Sequence, residues 1–383
     1  SSTAPVFRVK FVEKAVYPGG SLKIREAEAP RFEPMAWQTI EEGLDEEKFT
    51  DKIVEHVLTG ASMCVLGGAG TGKSVCLRRV RSALQEQGLQ VACVSLTHCA
   101  ARNVVGVTCH SFVQKYVNNG VFPGHVVLID EISFLSVDLL AQLEQLRLKG
   151  TRLLCFGDFK QLPPVSNRWR GQLVPPGVFE RSRLFYDWSG GTRFVLRRCR
   201  RSDQEHFDNY TRLRELPLEQ CLSEAQRMYP PPPPNNGATW HICLSNHKRR
   251  RLNDECQRRL AARIPESEKI WVESVEACYE IFVGTRLIGS NSTLKPILNN
   301  SFLEVTRLGD DRKSVFLRDE ELPDLPEFEV SLLNLAKHTK LRHALTMTSV
   351  QGRSLSGTIT IHDAANTHFE PTHVCPGART KEP

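Results

Sequence analysis

The chain has 383 residues, enough for two or three domains of ordinary size. With 40% apolar and 25% charged residues it can bury real cores, which excludes a wholly disordered chain. Its 50 Lys and Arg against 44 Asp and Glu give +6, an excess that permits a polyanionic partner without requiring one. No run of about 18 apolar residues occurs, so no membrane span is expected. The Ser1-Ser2-Thr3 start predicts a processed or excerpted chain without a secretory signal. The 12 cysteines are scattered, none in a CxxC, and several lie inside apolar runs, as Cys64 and Cys155 do. They read as buried reduced thiols with no disulfide partner and no structural zinc, in a reducing intracellular compartment.

In chain order, residues 1–43 carry weak periodicity and read as an N-terminal arm with one early helix at most. From about residue 50 short apolar runs alternate with amphipathic stretches. Residues 63–66, 90–96, 125–129 and 152–156 read as buried strands; 73–85, 108–116 and 137–148 have helical spacing. Strict alternation predicts a parallel sheet with crossover helices. Tyr229 and five prolines (residues 230–234), then Asn235-Asn236-Gly237, interrupt the pattern. The run reads as a stiff spacer, or as a ligand for a proline-docking partner. Residues 239–244 then begin a second α/β pattern, with a helix over 248–263. The expected division is an arm to 43, a first unit over 44–228, a linker over 229–238 and a second unit over 239–383.

Gly67-Gly68-Ala69-Gly70-Thr71-Gly72-Lys73-Ser74 fits GxxxxGK[ST] between an expected strand and an expected helix. Glycines let backbone N–H groups converge on phosphate oxygens, and the helix N-terminus adds positive potential there. Lys73 can reach the β- and γ-phosphates of ATP, and the Ser74 hydroxyl can ligate Mg2+. Val126-Val127-Leu128-Ile129-Asp130-Glu131 ends an apolar strand in two carboxylates. By itself such a pair is a solvated strand end or a helix cap; downstream of a phosphate loop, Asp130 suits the Mg2+ and Glu131 an attacking water, oriented or deprotonated.

Gly157-Asp158-Phe159-Lys160-Gln161-Leu162-Pro163-Pro164-Val165 follows the 152–156 strand directly. Gln161 there could feel the γ-phosphate, and the two prolines could carry that state in a rigid loop. This segment resembles the GDxxQLPPV motif of superfamily 1B DNA helicases, most of all the Petite Integration Frequency (PIF) branch, with RecD-type helicases as cousins. Other segments agree in order. Thr97 with Ala100-Ala101, and Thr108-Cys109-His110-Ser111-Phe112, are similar to the family's TxxAA and TxHSF segments, although Phe112 suits a core. Arg200, or Arg201 as the competing choice, matches an ATP-contacting arginine by its distance to Asp203. Asn246 with Leu252-Asn253, residues 284–287 with 298–300, Gln351-Gly352 and Gly377-Ala378-Arg379-Thr380 resemble the later motifs more loosely. The likeness covers residues 44–379.

The resemblance implies two RecA-like P-loop NTPase domains with parallel sheets and reduced accessory insertions. ATP would lie between them, with Lys73, Ser74, Asp130, Glu131 and Gln161 on one wall and Arg200 and Arg379 reaching in. Its partner would be single-stranded DNA or a forked duplex, contacted by Thr97, His110, Asn246 and Gln351, and travelled 5′ to 3′ by a monomer. In a eukaryote the nucleus or the mitochondrion would house it. Basic residues cluster at 197–201 and 247–251; the second cluster, on an expected helix, suits a solvated face, a DNA track or a nuclear import signal.

Four departures from the family pattern set further expectations. Lys48 stands where a glutamine usually reads adenine. Residues 113–125 are few for the wedge that splits a duplex. Thr348, Ser349 and Val350 replace the His-Lys-Ser of a later motif. Residues 309–337 are short for the small β-barrel of relatives, and their acidic stretch, 319–329, suits a solvated loop. Rival readings are a nucleic-acid-stimulated ATPase that remodels without unwinding, and a degenerate binding module.

Overall fold

The computed structural model describes residues 35–43, 46–96, 101, 104–161, 164, 167–201, 203–229, 239–274, 278–291, 294–350, 353, 355 and 357–363. β1 (Gln38–Glu41) and α1 (Glu46–Leu58) lead into β2 (Cys64–Gly67) and α2 (Lys73–Glu86). β3 (Val91–Ser95), β4 (Val107–Thr108), the short α3 (Cys109–Val113) with a π-helical turn over Gln114–Asn118, and β5 (Val126–Ile129) follow. Then come α4 (Val137–Leu148), β6 (Arg152–Gly157), a hairpin of β7 (Arg168–Trp169) and β8 (Gln172–Leu173), α5 (Arg183–Trp188), β9 (Thr192–Leu196), α6 (Gln204–Leu213) and α7 (Leu218–Met228).

Seven of these strands form one parallel sheet in the order β1-β9-β2-β6-β5-β3-β4. The inner strands are unbroken apolar runs because helices cover both faces: all four residues of β5 are buried. Ile53 and Val57 of α1 and Leu77, Val80 and Leu84 of α2 fill one face. Phe112 of α3, Leu139, Leu143 and Leu146 of α4, and Phe185 and Trp188 of α5 fill the other. Cys64 and Cys155 face each other in register across β2 and β6. Burial pushes the Cys64 thiol up to about 12 and Cys155 well above its ordinary value, so both act as small hydrophobes.

The arm ends earlier than the sequence suggested. Gln38–Glu41 pairs with Thr192 to Val195 as the edge of the sheet, so the first α/β unit begins by Trp37 rather than at 44. Three exposed residues and one partly buried one, Ile40, left no apolar alternation to read.

Beyond the proline run, β10 (Trp240–Cys243) and α8 (Asn246–Ala261) are followed by β11 (Ile270–Glu273), β12 (Cys278–Ile281), β13 (Arg286–Gly289), β14 (Phe302–Leu308), β15 (Ser314–Asp319) and β16 (Phe328–Ser331). α9 (Leu332–His338), β17 (Thr339–Leu341), β18 (Ala344–Thr346) and β19 (Ile359–His362) complete the described chain. β18-β10-β19 is parallel, as expected of a second RecA-like sheet. Asn253 of α8, 3% exposed, clasps its edge: Nδ2 donates to the Ala344 carbonyl at 3.0 Å and Oδ1 accepts from the Ala344 amide at 2.8 Å.

An antiparallel sheet, β16-β15-β14-β13-β17, shares a core with these strands, since Ile288 and Phe302 pack with Ile242 and Leu345. Residues 309–337 supply two of its five strands and α9. The acidic stretch is, as expected, mostly an exposed turn between β15 and β16, but its first two glutamates are engaged. Glu320 pairs with Arg342 and Glu321 with Arg353. These arginines, 3% and 8% exposed, lie with their guanidinium carbons 4.2 and 3.6 Å from the centre of the Phe302 ring. Two buried cations demand acidic partners, and the acidic run supplies them.

Candidate active site

The order β2-β6-β5 brings three segments together at the C-terminal ends of adjacent strands. β2 ends in the phosphate loop, β6 in Gly157-Asp158 and β5 in Asp130-Glu131. The loop's shape rests on Gly70 and Gly72, whose φ values of +82° and +94° suit glycine alone. Its carbonyls are tied down one by one. Lys73 Nζ donates to Gly67 and Gly68 at 2.8 and 3.0 Å, and the Tyr210 hydroxyl to Ala69 at 3.0 Å. The Arg200 amide donates to Gly70 at 2.8 Å and its guanidinium to Thr71. With the carbonyls held this way, the loop can present N–H groups to an anion at the start of α2, where Ser74 is the second residue.

Asp130 is 3% exposed, and burial followed by the neighbouring Glu131 charge raises its pKa against the pull of Lys73. Burial likewise raises Glu131, again opposed by Lys73. Glu131 sits in the left-handed region at φ 54°, and its Oε2 is buried without a hydrogen-bond partner. Two adjoining carboxylates beside a lysine, Asp130 buried and Glu131 partly so, fit a divalent cation and a water. Gly157 packs under this turn; a Cβ there would stand 2.7 Å from Ile132 Cγ2. Gln161 follows in a turn closed by its amide onto the Asp158 carbonyl at 3.1 Å.

The family described as AAA domain matches residues 51–173. ATP-dependent DNA helicase PIF1 of Candida albicans is 33% identical over 144 residues, 30% of this chain and 16% of that protein. Human ATP-dependent DNA helicase PIF1 is 32% identical over 154 residues, 33% of this chain and 23% of that protein. The crystal structure of Pif1 helicase from Candida albicans, 19% identical, superposes at a TM-score of 0.59 over 87% of this chain and 91% of that one. Bacteroides Pif1 bound to single-stranded DNA, also 19% identical, gives 0.59 over 86% and 88%. Over about a third of its length the chain is similar to PIF1 helicases, and it shares their fold. It spans only 16% and 23% of the length of those two curated relatives.

Three residues of this site carried no sequence signal. Glu42, its side chain fully buried, pairs with the Arg200 guanidinium and accepts from the Arg197 and Arg198 amides at 2.7 and 3.0 Å. It thus fixes the arginine that touches Thr71, and Arg200 rather than Arg201 is the one whose guanidinium bonds the loop. Tyr210 and Arg214 come from α6 and its end. Arg214 Nη1 lies 3.4 Å from Asp158 Oδ2, and its guanidinium carbon 5.0 Å from the centre of the Tyr210 ring. One short helix therefore grips both the phosphate loop and the segment bearing Gln161.

His110 is exposed in the first turn of α3, and Thr108, as its N-cap, accepts from the Ser111 amide at 3.3 Å. Phe112, 1% exposed, is core. Asn246 is exposed at the start of α8, its Oδ1 accepting from Arg249 Nε at 3.2 Å. Lys48 is exposed on α1. Thr97, Gln351, Arg379 and residues 230–238 lie outside the described residues. None of the described helices is long and apolar enough to cross a membrane.

Proposed function

We propose that the chain is an ATP-driven motor that moves 5′ to 3′ on single-stranded DNA and separates the strands of a fork. One observation carries this reading: the strand ending in Asp158 and leading to Gln161 lies between the strand of the phosphate loop and the strand of Asp130 and Glu131. A γ-phosphate sensor set there adjoins both the leaving phosphate and the attacking water. Mg2+, held by Ser74 and Asp130, would supply charge neutralisation at the phosphates. Lys73 binds the phosphates, Glu131 positions or takes a proton from the water, and Arg200 and Arg379 offset charge on the transferring group. Thr97, His110, Asn246 and Gln351 contact the strand.

Support comes also from the relatives, which are named ATP-dependent DNA helicases, and from the fold shared with Bacteroides Pif1 bound to single-stranded DNA. Another protein of this fold is described as two Pif1 helicases coordinating at forked duplex DNA; here a monomer is proposed. Function in the nucleus or mitochondrion belongs to the same proposal. A second reading, stimulated hydrolysis without unwinding, is favoured by the short interval between α3 and β5, where a wedge has little room.

The test is ATP hydrolysis with and without single-stranded DNA, beside unwinding of a 5′-tailed duplex. Hydrolysis that DNA leaves unchanged sinks the motor. Stimulated hydrolysis without strand separation selects the second reading.

A further inference from the structure

The hairpin of β7 and β8 stands outside every role assigned above. Its six residues, Arg168-Trp169-Arg170-Gly171-Gln172-Leu173, are all exposed, with Trp169 at 41% and Leu173 at 68%. A tryptophan in a six-residue hairpin with so much of its surface in water adds little to a core. Yet the hairpin is firmly built. A two-residue turn at Arg170 and Gly171, both at positive φ (49° and 83°), joins strands in register Arg168 to Leu173 and Trp169 to Gln172. Arg168 Nη1 donates across the turn to the Gly171 carbonyl at 3.0 Å, and the Val174 amide to the Asn167 carbonyl at 2.9 Å. The Asn167 side chain accepts from the Val137 amide at 3.0 Å, pinning the base of the hairpin to the first turn of α4.

Its chemistry selects a partner. From Asn167 to Val178 the chain holds two arginines and no acidic residue. The Arg170 guanidinium carbon lies 5.9 Å from the Trp169 ring centre. A rigid, half-open aromatic ring flanked by cations suits stacked bases with phosphates alongside. Position adds a third argument: Asn167 and Gln161 line one cleft of about 170 Å³, so the base of the hairpin shares a wall with the sensor segment.

We propose that this hairpin is a single-stranded nucleic-acid contact, with Trp169 stacking on a base and Arg168 and Arg170 meeting the adjoining phosphates. The inference rests on the motor reading and deepens it by placing a DNA contact next to Gln161.

The full chain is titrated with fluorescein-labelled oligothymidylate and its tryptophan emission followed. Trp169→Ala weakens binding about 10-fold, the scale of one lost stacking contact. Trp169→Phe keeps affinity within about 3-fold, since a smaller ring still stacks, and loses part of the emission quench. Arg168→Gln with Arg170→Gln lowers the slope of log affinity against log salt by about 1 to 2. DNA-free ATP turnover is unchanged in all three. Wild-type affinity in Trp169→Ala, or no oligothymidylate binding by the unaltered chain, overturns the proposal. The two ideas separate cleanly. If DNA stimulates hydrolysis while Trp169→Ala binds normally, the motor stands and the hairpin contact falls. If binding depends on Trp169 while hydrolysis ignores DNA, the contact stands and the motor falls.

Discussion

Arg214 and Asp158 meet at 3.4 Å with side chains only 7% exposed each, joining the end of α6 to the segment that carries Gln161. Because Tyr210, one turn earlier, bonds the phosphate loop through Ala69, the helix holds both parts of the nucleotide site at a fixed spacing. Removing Arg214 leaves the Asp158 carboxylate buried and uncompensated. Arg214→Ala is expected to lower unfolding free energy by about 3 kcal/mol, read by chemical denaturation. Arg214→Lys restores charge without the planar stack on Tyr210 and falls between the two.

Lys73→Ala abolishes hydrolysis without altering the far-ultraviolet circular dichroism. Glu131→Gln lowers turnover by at least about 100-fold while a fluorescent ATP analogue still binds, because the group acts on the water. Turnover retained by either variant, measured as phosphate release, removes that residue from the mechanism.

Glu42→Gln keeps the shape of the buried side chain and removes the charge that fixes Arg200. A charge-assisted contact of this kind is worth about 1.5 to 3 kcal/mol, so kcat/KM for ATP falls about 10-fold or more. Glu41, exposed and paired with Arg197, is the control, and its replacement changes kcat/KM little.

His343 gives the protein an acid-sensitive point. Burial, then Arg342, Arg286 and His241, push its pKa down to about 4 from 6.5. Its Nε2 lies 2.6 Å from Gln257 Oε1, and Gln257 Nε2 donates to the Glu280 carbonyl at 2.6 Å, so the ring is neutral and donating. The unfolded chain takes the proton first as pH falls below 6.5. The stabilisation is therefore complete above that pH and is lost towards pH 4, at a cost of about 3 kcal/mol. Denaturation between pH 7 and 4 should show this slope, flattened in His343→Gln; an equal slope in both removes His343 as its source.

What could be read from sequence was local. The buried strands, α2 and α4 announced themselves as unbroken apolar runs and helical spacing, and the phosphate loop as a contiguous motif. Glu42 with Arg200, Tyr210 with Ala69 and Arg214 with Asp158 join positions 158, 141 and 56 residues apart. Periodicity records which face of an element is apolar, not which distant loop a polar side chain will reach. The ion pairs of Glu320 and Glu321 were hidden for the same reason: the run is largely solvated, and its two buried arginine partners lie far along the chain.

The Phe302 sandwich also bears on how this chain can change over generations. Arg342, Arg353, Glu320 and Glu321 form two cation–anion couples around one ring, so a neutral replacement of either glutamate leaves a buried guanidinium without its carboxylate. Substitutions there should be accepted in matched pairs rather than singly. Lengthening of the connection between β15 and β16 is then confined to the residues after Glu321, which gives the antiparallel sheet one direction in which to grow.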